Sequence, residues 1–399
     1  MVSPILRIGL WLFISAYAGL AVAGETKIRI GVLGDQSGPF SDIGGAGAVL
    51  AARMAAADFG GTVLGRPIEV LSGDTQNKPD IAATIARRWF DVEGVDTIVD
   101  LPVTSVAMAV QFIGRDRKRV VLQTAAASAE LTQKGCSPYS VHWTDDTNAL
   151  AIGATQAIIA NGGRTWFFLT PDYSFGAFME KAASDVVKSE GGVVVGGTKF
   201  PFGTPDYSSY LLTAAGSKAQ VFALSTVGGD TLNAMKQAHE FGLTRDGPRI
   251  VVFNIFINEV NALGLNASKG LYLTSGFYWD ENEKTRAWAR RFFEVMKRMP
   301  NKTQANTYAA VFHYLRAVKE AGTDDAAAVA AKMRKLVGDY FGKSAHIRNN
   351  GRVVYDLTLY ETKTPAESKY PWDYLKAVRA IEGERAFGPD TKDCAGDKG

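Results

Sequence analysis

The side chains in this 399-residue chain that could do chemistry are few and scattered. Its four histidines, His142, His239, His313 and His346, show no metal-ligand spacing, and H-E-x-x-H does not occur. Two cysteines are too few for a zinc knuckle. His313 sits inside AAVFHYLRAV, where an apolar helix surrounds it as a structural histidine. GDQSGP carries a serine near glycines, but a nucleophile elbow needs G-x-S-x-G. The stretch IRIGVLGDQSGPFSDIGGAGAVLAA, 28–52, has the layout of a phosphate-cradling loop: an apolar run, glycines, then an alanine-rich helix. It lacks both G-x-x-x-x-G-K-[ST] and G-x-G-x-x-G, and its spread of Gly34, Gly38, Gly44, Gly45 and Gly47 is too long for a dinucleotide fingerprint. The expectation is no enzyme, no metal and no cofactor.

What remains is binding chemistry. Apolar runs end in Ser37-Gly38-Pro39-Phe40-Ser41, in Pro102-Val103-Thr104-Ser105 and in Ala125-Ala126-Ala127-Ser128. Hydroxyls, small residues and free backbone N–H groups at helix starts can hold an anion without an opposite full charge. A later set, Pro171-Asp172-Tyr173-Ser174-Phe175-Gly176, Val227-Gly228-Gly229-Asp230 and Asn254-Ile255-Phe256, supplies aromatic and apolar faces. For any single serine or threonine, helix N-capping is a sufficient explanation.

The elements that position these loops follow from periodicity. Strands are predicted at 27–33, 68–72, 97–101 and 120–124, with helices at 45–59, 80–92 and 103–115. The strands are continuous apolar runs, as in a parallel sheet covered on both faces. After SVHWTDDTNA the alternation restarts. Helices at 149–161, 175–190, 207–215 and 231–241 alternate with strands at 165–170, 193–199, 220–225, 249–253 and 270–277. Helices at 284–298, 304–321 and 325–336 come next, then one or two strands in GRVVYDLTLYETK, 351–363. Two βαβ sets predict an α/β fold with two doubly wound sheets and a chain that crosses between them more than once. Ligands of such sheets bind beyond the carboxyl ends of the strands, where the loops above lie.

Composition agrees with a globular protein: 46% hydrophobic, 21% charged, net charge +3. The basic residues are dispersed, and GRDRKR at 114–119 reads as a solvated helix end, so no nucleic-acid partner is expected. Residues 1–23 read as a secretory signal peptide, with Arg7, an apolar run from Ile8 to Val22 and Ala21-Val22-Ala23 as the cleavage site. No cysteine follows that site, so no lipid anchor is expected. No other stretch approaches the roughly 18 apolar residues of a membrane span. Export into an oxidising compartment leaves two readings for Cys136 and Cys394: separate buried thiols, or a disulfide that pins the tail TKDCAGDKG.

The segments IRIGVLGDQSGPFSDIGGAGAVLAARMAAADFGG, GRPIEVLSGDTQNKPDIAATIARRWF, TAAASAELTQKG, TPDYSFGAFMEKAA and GGDTLNAMKQAHEFGL occur in this order. In them the chain resembles the periplasmic solute-binding proteins of ABC transporters, in the branched-chain amino acid (Leu/Ile/Val-binding, type I) group. The resemblance covers nearly all the mature chain. It implies two Rossmann-like lobes joined by three hinge crossovers, with a ligand held between them and passed unchanged to an inner-membrane ABC permease. The implied lobes are 25–146 with 278–351 and 147–277 with 352–385, followed by a tail, 386–399. A monomer is expected. KGCSPYSVHW and the tail cysteine also resemble a subgroup in which Cys136 and Cys394 would pair.

Residue roles follow from the same resemblance. Thr104 and Ser105, with the loop from Ala126 to Ser128, match the positions that hold a ligand carboxylate. Tyr173 or Phe175 matches the aromatic after the first strand of the second lobe, and Val227 to Asp230 match a further loop. Two departures stand out. Amino-acid binders place an acid after the fourth strand of the second lobe to neutralise the ligand ammonium. Here Asn254-Ile255-Phe256-Ile257-Asn258 stands there, and Glu259 is expected to face elsewhere. They also carry a tyrosine after SGP, in the region of Ile43. A buried ammonium without a counter-charge costs several kcal/mol. The replacements, Phe40, Phe253, Phe256, Phe277, Tyr278 and Trp279, are aromatic, although core packing explains Phe253 and Phe277 equally well. FYWDENEKTRAW resembles members that take aromatic or other apolar carboxylates. The expected ligand is therefore a small organic acid with an aromatic or bulky apolar body. It would be bound by Phe40, Thr104, Ser105, Ala126, Ser128, Tyr173, Phe175, Val227, Asn254 and Phe256. Alternatives are a branched-chain amino acid or amide in the same fold, or a ligand sensor.

Overall fold

The computed structural model describes residues 27–244 and 247–390. The expected signal peptide and Cys394 lie outside them. The first unit runs β1 (Ile28–Gly34), α1 (Gly45–Asp58), β2 (Thr62–Val63), β3 (Arg66–Asp74), α2 (Pro79–Asp91), β4 (Thr97–Asp100), α3 (Thr104–Asp116), β5 (Val120–Gln123) and β6 (Ser140–His142). Its sheet has the order β2-β3-β1-β4-β5-β6, parallel except for the β2–β3 hairpin. Alternate residues of β1 explain the two layers. Ile28, Ile30 and Val32 pack with Ala48, Ala51, Ala52 and Ala55 of α1, while Leu33 joins Trp89 of α2 and Val106 and Val110 of α3.

The second unit repeats the plan with α4 (Thr147–Ala160), β7 (Thr165–Pro171), α5 (Ser174–Ser189), β8 (Val193–Phe200), α6 (Ser208–Gly216), β9 (Val221–Leu224), α7 (Gly229–Glu240) and β10 (Arg249–Val252). Its four strands are all parallel, in the order β10-β9-β7-β8. Short helices α8 (Ile257–Leu263) and α9 (Leu265–Ser268) lead to β11 (Tyr272–Ser275). Then come α10 (Glu283–Met296), α11 (Lys302–Ala321), α12 (Ala326–Lys335), β12 (Gly338–Tyr340), β13 (Lys343–Ile347), β14 (Val353–Val354), β15 (Leu357–Thr362), β16 (Leu375–Ile381) and α13 (Gly383–Ala386). The alanine-rich α1 lets α11 lie against it, and β14 still pairs with β13.

Two features depart from the periodicity. The predicted strand at 270–277 does not extend the parallel sheet: β11 pairs antiparallel with β15, which pairs with β16 in a separate three-stranded sheet beside α4. Periodicity does not mark strand β16, because LKAVRAI lacks a clean alternation and its middle is largely exposed. Pairing between segments so far apart in sequence leaves no local signature.

The chain passes between the lobes after His142, after Ser275 and after Val354. One carboxylate touches all three passages. Asp145, in the first, accepts from Gly276 N (3.3 Å) in the second and from Tyr355 Oη (3.0 Å) in the third. It also pairs with Lys302 Nζ at the start of α11 (3.3 Å), with both side chains buried. Its neighbour Asp146 caps α4 and pairs with buried Arg352 at 3.5 Å.

Candidate functional site

Both sheets reverse direction of growth at their first strand. β3 and β4 flank β1, and β8 and β9 flank β7, so the loops that leave β1 and β4, or β7 and β9, splay apart and open a crevice. The two crevices face each other. From the first lobe, Phe40, Ile43, Pro102, Val103, Ala125 and Ala127 line the gap; from the second, Tyr173, Phe175, Val227, Asn254 and Phe256 do. The gap leaves about 370 Å³ of space between atoms, part of it open to solvent. It is a slot. No Asp, Glu, Lys, Arg or His side chain lines it among the described residues.

Six of the ten expected ligand residues are thus brought together: Phe40, Tyr173, Phe175, Val227, Asn254 and Phe256. The four first-lobe hydroxyl-loop residues lie just behind the wall. Thr104 is buried at the first turn of α3, and its Oγ1 has no hydrogen-bond partner among the described residues. Ser105 is half-buried. Ser128 Oγ accepts from Glu130 N (3.3 Å) and caps the short 3-10 helix Ala129–Thr132. Ala126 presents its carbonyl to His142 Nε2 at 2.7 Å. Burial and Arg352 hold the His142 imidazole well below its usual range, so it is neutral. Arg352 Nη1 donates to its Nδ1 (2.9 Å), which leaves Nε2–H to donate to Ala126 and fix the loop beside the slot.

The loop after β1 is shaped by Asp35. Its carboxylate accepts from Gly38 N (2.7 Å), Phe40 N (2.9 Å) and Asn77 Nδ2 (2.6 Å), which presents the Phe40 ring to the slot. Beneath lies Asp100, fully buried, with φ +90° and neither carboxyl oxygen hydrogen-bonded among the described residues. Burial and the nearby Asp35 push it up to about 8. A Cβ at Gly44 would come within 2.8 Å of it. The glycines of the phosphate-like loop therefore make room for a buried carboxyl.

Helix starts around the slot share a property. α1, α3, α5 and α7 have Gly44, Val103, Tyr173 and Gly228 as N-cap residues, and none of the four caps its helix with its own side chain, although the Gly228 backbone N–H is bonded to the Glu259 carboxyl. Each N-cap residue lines the slot or adjoins one that does. Away from the slot, α4, α10, α11 and α12 are capped by Asp146, Asn282, Asn301 and Asp325, whereas α2 and α6 lack a side-chain cap too. Two helices from each lobe thus aim free N–H groups and positive dipole ends at one apolar slot.

Glu259 is closer than the sequence suggested. It is buried behind the slot, accepts from Phe256 N (2.7 Å), and is pushed up to about 8 by burial. Lys302 Nζ lies 5.3 Å from the Phe256 ring centroid. Tyr173 is half-buried, and burial raises its phenol far above its usual range, so its hydroxyl stays protonated. Phe202, which sequence reasoning missed, flanks the mouth, 5.6 Å from Phe40 and 5.2 Å from Tyr173 by ring centroids. Its loop follows an edge strand, and nothing local marks it. Phe253 stacks on Phe168 (6.4 Å, 17°) in the core, and Phe277 packs on Trp288 and Phe341. Tyr278 Oη and Trp279 Nε1 both donate to Trp372 O at 3.0 Å. The core alternative therefore holds for these aromatics.

Among the described residues no three His, Cys, Asp or Glu are grouped to hold a metal ion, and no helix is long and apolar enough to cross a membrane. No curated protein matches the chain significantly. A periplasmic binding protein from Burkholderia mallei is 44% identical over 92% of this chain and 98% of its own, with a TM-score of 0.90. A branched-chain amino acid ABC transporter periplasmic ligand-binding protein from Burkholderia xenovorans LB400 is 36% identical over 92% and 99%, TM-score 0.83. A Rhodopseudomonas palustris solute-binding protein in complex with benzoate shares the fold at 18% identity over 91% and 99%, TM-score 0.80. The family model for periplasmic binding proteins matches residues 27–369. Two lobes around a slot, a match over most of the chain and relatives of this identity place one conclusion beyond the fold: the chain belongs to the periplasmic binding proteins of ABC transporters.

Proposed function

We propose that this protein captures a small carboxylate with an aromatic or bulky apolar body in the slot, closes its lobes over it and delivers it to an inner-membrane permease. The observation that carries this is the convergence of four uncapped helix starts on an apolar slot with no charged side chain in its lining. Free N–H groups and dipole ends favour an anion. The same lining gives an ammonium no counter-charge: Glu259 stands behind it and is held protonated near neutral pH. Flat faces at Phe40, Tyr173, Phe175 and Phe256 suit an aromatic ring. The benzoate bound by the Rhodopseudomonas palustris protein of the same fold is one such ligand.

A second reading, a branched-chain amino acid, is favoured by the name of the Burkholderia xenovorans relative. A thermal-shift panel separates the two. Benzoate-type acids should raise the melting temperature and leucine should not; the reverse pattern sinks the proposal.

The remaining assignments belong to the same proposal. Residues 1–23 direct export and are removed. The lobes are 25–146 with 278–351 and 147–277 with 352–385; β14, just past the third limit, still pairs with β13. A Cys136–Cys394 disulfide pins the tail: Cys136 is buried, and Gly388 O, at the start of the tail, already accepts from Arg348 Nη1 at 2.8 Å. The protein works as a monomer.

A further inference from the structure

The geometry points to Asn254 as the residue that reads a hydroxyl group on the ligand, so that the preferred substrates are hydroxylated aromatic acids rather than plain ones. The inference rests on the aromatic-carboxylate proposal and narrows it. Asn254 follows β10 and lines the slot on the second lobe. Only 4% of it is exposed, and its Oδ1 has no hydrogen-bond partner among the described residues. Other orphaned hydroxyls near the strand ends, Thr170 Oγ1 and Ser225 Oγ, are buried but do not line the slot. Tyr173 also lines it, but its Oη is not among the fully buried side-chain atoms left without a partner. Asn254 is therefore the polar group of the lining that a ligand must satisfy.

Its chemistry selects the partner. The amide head can turn, presenting either an acceptor oxygen or a donor nitrogen. A carboxylate is acceptor-only: it can take a hydrogen bond from the amide nitrogen but leaves the oxygen unpaired. A phenolic hydroxyl both donates and accepts, and it fits either orientation. The uncapped helix starts supply donors for the carboxylate, so the two ends of the ligand have different receivers. The ring lies between Phe40 and Phe256. A buried site that hydrogen-bonds a substrate hydroxyl discriminates strongly against analogues that lack it, because its own polar group is then left unpaired.

Isothermal titration of the mature wild-type protein with benzoate, 3-hydroxybenzoate, 4-hydroxybenzoate and 4-methylbenzoate tests this, alongside Asn254→Leu. Wild type should bind at least one hydroxybenzoate tenfold or more tighter than benzoate and than 4-methylbenzoate. Asn254→Leu should lose the hydroxyl preference, so that the ratio of hydroxybenzoate to benzoate affinity falls to within about threefold of one. Benzoate and 4-methylbenzoate binding as tightly as both hydroxy acids overturns the inference but leaves the carboxylate proposal standing. So does an Asn254→Leu protein that retains the full preference. Binding of none of the four acids overturns both. Should the variant fail to fold, the wild-type ranking of hydroxyl against methyl decides alone.

Discussion

Asp100 shows how much a single side chain can be held away from its ordinary state. Its carboxyl titrates near 8 in the fold against 3.8 when free, because burial disfavours its charged form and Asp35 lies nearby. A pKa raised on folding means that the folded chain takes up a proton. The associated stability is complete below about pH 4 and is lost as pH rises through about 8, at roughly 1.4 kcal/mol per pH unit. Glu259 has the same sign over much the same window. Asp100→Asn keeps the shape, cannot ionise and suits positive φ. Its unfolding free energy from denaturant titrations should fall less steeply between about pH 5 and pH 8 than that of wild type. Parallel slopes would show that Asp100 finds a counter-charge in solution.

Among the elements, the three interlobe passages are coupled rather than independent. Asp145 joins them through Gly276 and Tyr355, and Lys302 carries its charge to within reach of Phe256 in the slot. Both ions of the Asp145–Lys302 pair are desolvated, so removing one leaves the other buried and unpaired, at a cost of about 3–5 kcal/mol. Asp145→Ala should lose stability of that order in denaturant unfolding. Lys302→Met in the same background should recover part of it, since the orphaned ammonium is gone. Strictly additive losses in the double variant would mean that the two residues do not act as a pair.

For the molecule as a whole, function depends on how closely the lobes approach. Phe40 of one lobe lies against Gly228 of the other, where a Cβ would come within 3.2 Å of the ring. Gly228 has φ +67°, so a side chain there is also strained. Gly228→Val should prop the slot open and weaken benzoate-type ligands at least tenfold. In small-angle scattering, ligand should shrink the radius of gyration of wild type and not of the variant. Equal compaction in both would show that Gly228 does not limit closure.

The sequence by itself determined the two βαβ sets, because a buried parallel strand is a continuous apolar run and its covering helix repeats at 3.6 residues. It also indicated which loops line the slot, since loops at the carboxyl ends of doubly wound strands edge the crevice; Phe40, Tyr173 and Phe256 stand in those loops and line it. Only the tertiary structure decided what each side chain does there. Ser128 and Thr104 look alike as loop hydroxyls, yet one caps a helix and the other is orphaned. Phe253 and Phe256 are three residues apart, yet one stacks in the core and the other faces the slot. Glu259, expected to point away, stands directly behind the lining. Local pattern records which face of an element is buried; it does not record what the burying surface is, and that depends on contacts between residues distant in sequence.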